Sequence, residues 1–310
     1  MKSKFESICI LGTTASGKTN LATNLAYKLE NAEIISADSR QVYKGLNIGA
    51  GKDLNEYVIN GTEIPYHLID IVPINEMYHI AEFKKDFEEC YVSILDQGNV
   101  PIICGGSGMY LQTALSGYPF ANVPIDENLR GILDEYSSKE ELINYYLRMP
   151  NHHLYLVDFN SKKRLIRAIE VLMYLEQFPD FEIDNSVKKN TLIFGLAPER
   201  EERREKIANR LLQRIENGLI EEVEGLLKMG IAPERLKFFG LEYKFVMEFL
   251  EKALEKDEMI EKLTIAIQQF AKRQMTWFRK MEKDGFEINW IPNELSLDEK
   301  VEFCVNKFYN

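Results

Sequence analysis

Apolar residues along this chain recur in two rhythms. Short, dense, partly β-branched runs predict strands at Ser7–Leu11, Glu33–Ala37, His67–Val72, Val100–Cys104, Thr191–Ala197 and Phe286–Ile291. Between them, apolar positions three and four apart predict helices over Asn20–Leu29, Ile80–Asp96, Lys162–Glu176, Arg200–Met229 and Leu241–Glu282. Strands that alternate with helices predict an α/β fold, a parallel sheet flanked by helices on both faces. Ligands of such sheets gather at the carboxyl ends of the strands, so the residues just after each run belong together. From about Pro124 to Leu156 the rhythm changes. That stretch is polar and helical (Asp126–Tyr136, Lys139–Met149) without a strand-like run. It predicts a small helical insertion, residues 124–156, in a core built from residues 1–123 and 157–310.

Bulk properties narrow the picture modestly. With 310 residues and 45% hydrophobic composition, the chain can bury one large core, or one core with a smaller appended unit. No apolar run approaches the ~20 residues that span a bilayer, and no signal segment opens the chain. Cys9, Cys90, Cys104 and Cys304 lack metal or redox spacing, and Cys9 and Cys104 sit inside strand-like runs as small hydrophobes. A reducing, cytoplasmic setting is the expectation. The net charge of −11 argues against indiscriminate nucleic-acid binding, though a local basic patch can still hold a nucleic-acid substrate.

The chemistry lies at the strand ends. After the first strand, Gly12-Thr13-Thr14-Ala15-Ser16-Gly17-Lys18-Thr19 has the spacing G-x-x-x-x-G-K-[ST]. In such a loop backbone N–H groups cradle phosphate oxygens, the lysine adds a full charge, and the final hydroxyl can ligate Mg²⁺. After the second strand comes Ala37-Asp38-Ser39-Arg40-Gln41-Val42-Tyr43-Lys44-Gly45. A carboxylate there can hold Mg²⁺, act as a general base beside the phosphates, or merely cap a helix. After the fourth, Gly105-Gly106-Ser107-Gly108 allows close backbone approach and offers a hydroxyl at a helix start. Lys162, Lys163, Arg164 and Arg167 place four cations in six residues, which by itself reads as a solvated face. Late in the chain, Phe270, Gln274, Trp277 and Phe278 fall along one helix side as packing residues. Lys272, Arg273, Arg279 and Lys280 are cations that could reach phosphates of a cofactor or of RNA.

Taken together, these segments resemble the tRNA dimethylallyltransferases, also called tRNA isopentenyltransferases. The likeness rests on Gly12–Thr19, on Asp38-Ser39 with Gln41-Val42-Tyr43 and Gly45, and on Gly105-Gly106-Ser107-Gly108-Met109-Tyr110. Arg164-Leu165-Ile166-Arg167-Ala168-Ile169-Glu170-Val171 and Ala271–Arg279 complete it, in family order over nearly the whole chain. The resemblance implies a P-loop NTPase-like fold and a Mg²⁺-dependent transfer of a dimethylallyl group from its diphosphate to N6 of the adenine next to the anticodon. The tRNAs would be those reading codons that begin with U, and the enzyme a monomer. It implies Asp38, Lys18 and Thr19 as catalytic residues, with Asp38 the base on N6 and Thr19 serving Mg²⁺. Gly12, Thr13, Thr14, Ala15, Ser16, Gly17, Lys18 and Thr19, with Lys272 and Arg273, would bind the diphosphate substrate. Asp38, Ser39, Arg40, Gln41, Ser107, Arg130, Lys163, Arg164, Leu165, Ile166, Arg167 and Lys237 would meet tRNA, and the helical insertion would grip it. The runners-up are an isopentenyltransferase acting on free adenine nucleotide and a P-loop small-molecule kinase. The insertion and the Arg164/Arg167 pair disfavour the first; the Asp38–Gly45 and Lys272–Arg279 segments disfavour the second. One segment departs from the family. Where its members often have arginine, two residues, then Gly-Tyr-Arg, this chain has Lys237-Phe238-Phe239-Gly240-Leu241-Glu242. Lysine keeps a charge but loses the guanidinium fork, and Glu242 reverses the sign.

Overall fold

The computed structural model describes residues 3–136, 138–155, 157–183 and 188–310. They form two compact units, Gly117–Val187 and the remainder of the chain. In chain order the larger unit carries β1 (Ser7–Gly12), α1 (Lys18–Leu29), β2 (Ala32–Ser36), the antiparallel pair β3 (Val58–Ile59) and β4 (Thr62–Glu63), and β5 (Tyr66–His67). There follow α2 (Ile80–Asp96), β6 (Val100–Gly105) and α3 (Gly108–Ser116). The smaller unit holds α4 (Glu127–Tyr136), α5 (Lys139–Arg148) and α6 (Lys162–Gln177). The larger unit resumes with β7 (Thr191–Leu196), α7 (Arg200–Glu216), α8 (Leu219–Lys228), α9 (Pro233–Phe238), α10 (Leu241–Leu250), α11 (Lys256–Lys283), β8 (Ile288–Trp290) and α12 (Leu297–Tyr309).

The main sheet has the order β5-β2-β6-β1-β7-β8, parallel throughout. β1 is buried along its whole length, as a central strand covered on both faces must be. Alternation divides it cleanly. Ile8 and Ile10 pack with Leu21 and Leu25 of α1 and Phe308 of α12, whereas Cys9 and Leu11 pack with Phe83 and Phe87 of α2 and Phe278 of α11. A third apolar cluster joins Leu211 of α7, Val223 of α8, Tyr243 of α10 and Leu263 of α11 to Val42 and Tyr43 after β2.

Three expectations shift. The run His67–Val72 forms a strand only at Tyr66–His67; Leu68 and Asp70 then take left-handed φ of 61° and 57°, and Val72 bridges to Tyr43. The two longest predicted helices are each divided, at Gly218 (φ 98°) between α7 and α8 and around Lys252 (φ 59°) between α10 and α11. Apolar spacing persists across both breaks because both halves face the same core. The helical unit is also larger than residues 124–156, whose last residue, Leu156, lies outside the described residues. It includes α6, whose Leu165, Ile166, Ile169 and Leu172 close its core on Leu142, Tyr146 and Met149.

Candidate active site

Three strand ends meet almost in backbone contact. A Cβ on Gly105 would lie 2.5 Å from the Ala37 carbonyl oxygen, and one on Gly106 would lie 2.9 Å from that of Gly12. Only glycine tolerates such approach. The Ala37 amide also donates to the Cys104 carbonyl at 2.8 Å. Asp38, immediately after Ala37, is thereby held at the carboxyl end of β2, opposite the phosphate loop that leaves β1. In that loop Ala15 and Gly17 take left-handed φ of 58° and 80° just before α1 begins at Lys18.

Gln274 of α11 locks the loop. Its side-chain carbonyl accepts from the Thr14 amide at 2.9 Å and its amide donates to the Gly106 carbonyl at 2.8 Å. One buried side chain thus joins the loops after β1 and β6. The spacing of α11 marked Gln274 only as a packing residue; a buried amide in an apolar stripe was the available signal. On the same helix Trp277 lies against Gly108, where an added Cβ would come within 2.3 Å of the indole. Phe270, expected on the packed side, is exposed instead.

The electrostatics converge on Lys18. Burial pushes its ammonium below the ordinary lysine range, and Arg210 and Arg214 of α7 push the same way while Asp38 opposes them. The adjoining Cys104 thiol is raised to about 12 by burial and stays neutral. Arg210 pairs with Asp53, and Arg214 stands 3.4 Å from Glu242 and 4.0 Å from Asp53. Burial also raises the Glu56 carboxyl, with Asp53 adding and Arg210 and Lys18 opposing. Among the described residues, four buried side-chain atoms have no hydrogen-bond partner: Thr13 Oγ1, Ser16 Oγ, Arg214 Nε and Trp277 Nε1. Buried polar atoms are ordinarily paired, so two orphaned loop hydroxyls beside the half-buried Lys18 make a place that fits a polyanion. The spacing of α7 gave no hint of Arg210 and Arg214 there.

The remaining residues expected at the site divide between the two units. In the larger unit, the Arg40 amide donates to Asp38 Oδ1 at 2.9 Å, and the Arg40 guanidinium stacks 5.1 Å from the Phe238 ring. Gln41 accepts from Ser36 at 2.7 Å and donates to the Gly51 carbonyl at 2.9 Å, so it braces the segment after Asp38. Ser39 and Ser107 are half-buried beside these loops. Lys237 is engaged by Glu251 at 2.8 Å. Lys272 and Arg273 are exposed, and Lys272 lines a groove with Arg200, Arg203 and Arg204 of α7. In the helical unit, Lys163 and Arg164 are exposed, Arg164 pairing with Asp158 at 3.2 Å. Leu165 and Ile166 are core residues of that unit. Arg130 and Arg167 both bind Glu170, and Arg167 also donates to the Phe120, Val123 and Pro124 carbonyls. Burial alone would raise the Glu170 carboxyl; the two guanidiniums outweigh it and hold it below the usual carboxylate range.

The parallel sheet, the phosphate loop at the end of β1 and the carboxylate at the end of β2 define an α/β protein of the phosphate-loop class. The family model described as IPP transferase matches residues 41–281, and the chain belongs to that family. It is 46% identical over 305 residues to tRNA dimethylallyltransferase 2 of Bacteroides fragilis, spanning 98% of both chains. It is 47% identical over 302 residues to tRNA dimethylallyltransferase 2 of Porphyromonas gingivalis, spanning 97% of this chain and 98% of that one. Among solved structures, a tRNA delta(2)-isopentenylpyrophosphate transferase from Staphylococcus epidermidis superposes with a TM-score of 0.68 at 30% identity, covering 98% of each chain. A eukaryotic dimethylallyltransferase acting on tRNA shares the fold, with a TM-score of 0.75 at 24% identity over 97% of this chain and 78% of that one.

Proposed function

We propose that this chain transfers a dimethylallyl group from dimethylallyl diphosphate to N6 of the adenine next to the anticodon in tRNAs reading codons that begin with U. The observation that carries the reading is the electrostatic pairing of Lys18 with Asp38, a half-buried cation in a phosphate loop facing a carboxylate at the end of β2, one strand removed across β6. Lys18, the Thr14 and Ser16 side chains and the loop amides bind the diphosphate and stabilise the charge that grows as the C1–O bond breaks. The N6 lone pair forms the new C–N bond, and Asp38 takes the N6 proton. Mg²⁺ favours hard oxygen donors and phosphate oxygens. The Thr19 hydroxyl, which follows Lys18 and lies against the Cys104 thiol near the end of β6, would give that ion one hard oxygen donor, and the bound ion would neutralise the leaving diphosphate.

The adenine must leave its stack to reach Asp38, which suits a single-stranded anticodon loop. Ser39, Arg40, Gln41 and Ser107 line the acceptor side in the larger unit, and Lys237, Lys272 and Arg273 offer further cations. In the helical unit, exposed Lys163 and Arg164 meet RNA phosphates, while Arg130, Leu165, Ile166 and Arg167 set the shape that presents them. The enzyme works in the cytoplasm as a monomer; no helix among the described residues is long and apolar enough to cross a membrane.

The test incubates the chain and Mg²⁺ with labelled dimethylallyl diphosphate and either unmodified tRNA or adenosine monophosphate, and separately with ATP. Label is expected in tRNA only, and Asp38→Ala should lower kcat at least about a hundredfold. Label on the free nucleotide, or ATP hydrolysis without prenyl transfer, would overturn the reading.

A further inference from the structure

The α7 cations have no role in the chemistry drawn so far, yet they are placed against it. Arg210 and Arg214 are four residues apart on one face of α7, flanking Leu211, which belongs to the apolar cluster on which Ala15 of the phosphate loop is seated. Both guanidiniums lie over Gly51. A Cβ there would fall 2.0 Å from Arg214 Nη2 and 3.1 Å from Arg210 Nη2. The Gly51 carbonyl is bound by Gln41, whose other end is tied to Ser36, two residues before Asp38. A chain of contacts therefore runs from the end of β2 to α7. Within it, Arg214 is nearly buried, at 12% exposure, and its Nε has no partner. Glu242, the residue that reverses the charge of the Gly240 segment, faces this guanidinium rather than the solvent.

We propose that Arg214 is a diphosphate-binding residue of this enzyme, delivered from α7 and held in position by Glu242. The acid is then not a lost cation but the anchor of one carried on another helix. Arg210 and Asp53 form the neighbouring pair, and both guanidiniums act electrostatically on Lys18 of the phosphate loop. Burying an arginine with an unpaired Nε is costly in the free protein, and an anion recovers that cost on binding. The inference rests on the prenyl-transfer reading.

Inorganic diphosphate is the probe, titrated calorimetrically into the full chain with Mg²⁺, alongside donor and tRNA kinetics. Arg214→Met should weaken diphosphate binding at least about tenfold and raise the donor KM, with tRNA affinity unchanged. Arg214→Lys, which keeps the charge and loses the fork, should recover part of the loss and carries the test if the methionine variant does not fold. The exchanged pair Arg214→Glu with Glu242→Arg, returning the cation to the Gly240 segment, should bind diphosphate more tightly than Arg214→Glu alone. Folded Arg214→Met and Arg214→Lys variants with diphosphate Kd and donor KM within twofold of the parent would overturn the role of Arg214 alone. A parent chain that binds no diphosphate would overturn the prenyl-transfer reading with it.

Discussion

Asp38 and Gln274 show how differently two site residues disclose themselves. Asp38 stands at a strand end in a recognisable segment, and its place follows once β2 is located. Gln274 sits in a helical packing stripe, and only the fold brings the Thr14 amide and the Gly106 carbonyl within reach of it, 260 and 168 residues away. Gln274→Leu keeps the volume and removes both bonds, leaving two backbone groups to recover about 1–3 kcal/mol each. The expected outcome is a donor KM raised several-fold and a lower kcat in steady-state assays, with tRNA affinity in filter binding unmoved. A change in tRNA affinity alone would assign Gln274 to the other substrate.

The segment after β2 depends on a partner that no local spacing foretells. Glu222 of α8 accepts from the amides of Asn47, Ile48 and Gly49 at 2.7–3.1 Å and from the Tyr243 hydroxyl at 2.7 Å. One carboxylate thus fixes the turn that leads to Gly51, and an added Cβ on Gly49 would come within 2.5 Å of the Tyr243 ring. Glu222→Ala removes four bonds to one charged acceptor, and chemical denaturation should show a loss of about 3 kcal/mol or more. Since Gly51 carries the α7 guanidiniums, diphosphate affinity should fall with it; unchanged affinity in a destabilised chain would separate the turn from the site. The elements themselves were legible wherever periodicity was strong, as in α2, which matches its expected span. They were misread where a left-handed residue interrupts a continuous apolar stripe, at Gly218 and Lys252.

For the whole molecule, the helical unit has its own electrostatic keystone. Glu170, with its side chain 2% exposed, binds Arg130 and Arg167 and accepts from the Asp126 amide at 2.7 Å. Its folded carboxyl lies below the ordinary range, so its stabilisation is complete above the unfolded value of about 4.3 and fades as pH falls through the folded one. Melting curves followed by circular dichroism from pH 7 to pH 3 should show an acid loss that Glu170→Gln lessens, with the variant already less stable at pH 7. An identical acid limb in parent and variant would remove Glu170 from that role. The sequence by itself determined the parallel α/β class, the loop after β1, the position of Asp38 just after β2 and the family likeness, because spacing along one strand-turn-helix unit dictates local backbone and charge. Only the tertiary structure decided that α6 belongs to the helical unit, that Gln274 clasps two loops, and that Arg214 meets Glu242 beside Lys18. Those are pairings across long sequence separations, fixed by which apolar faces bury together and by the need of each buried charge for a partner.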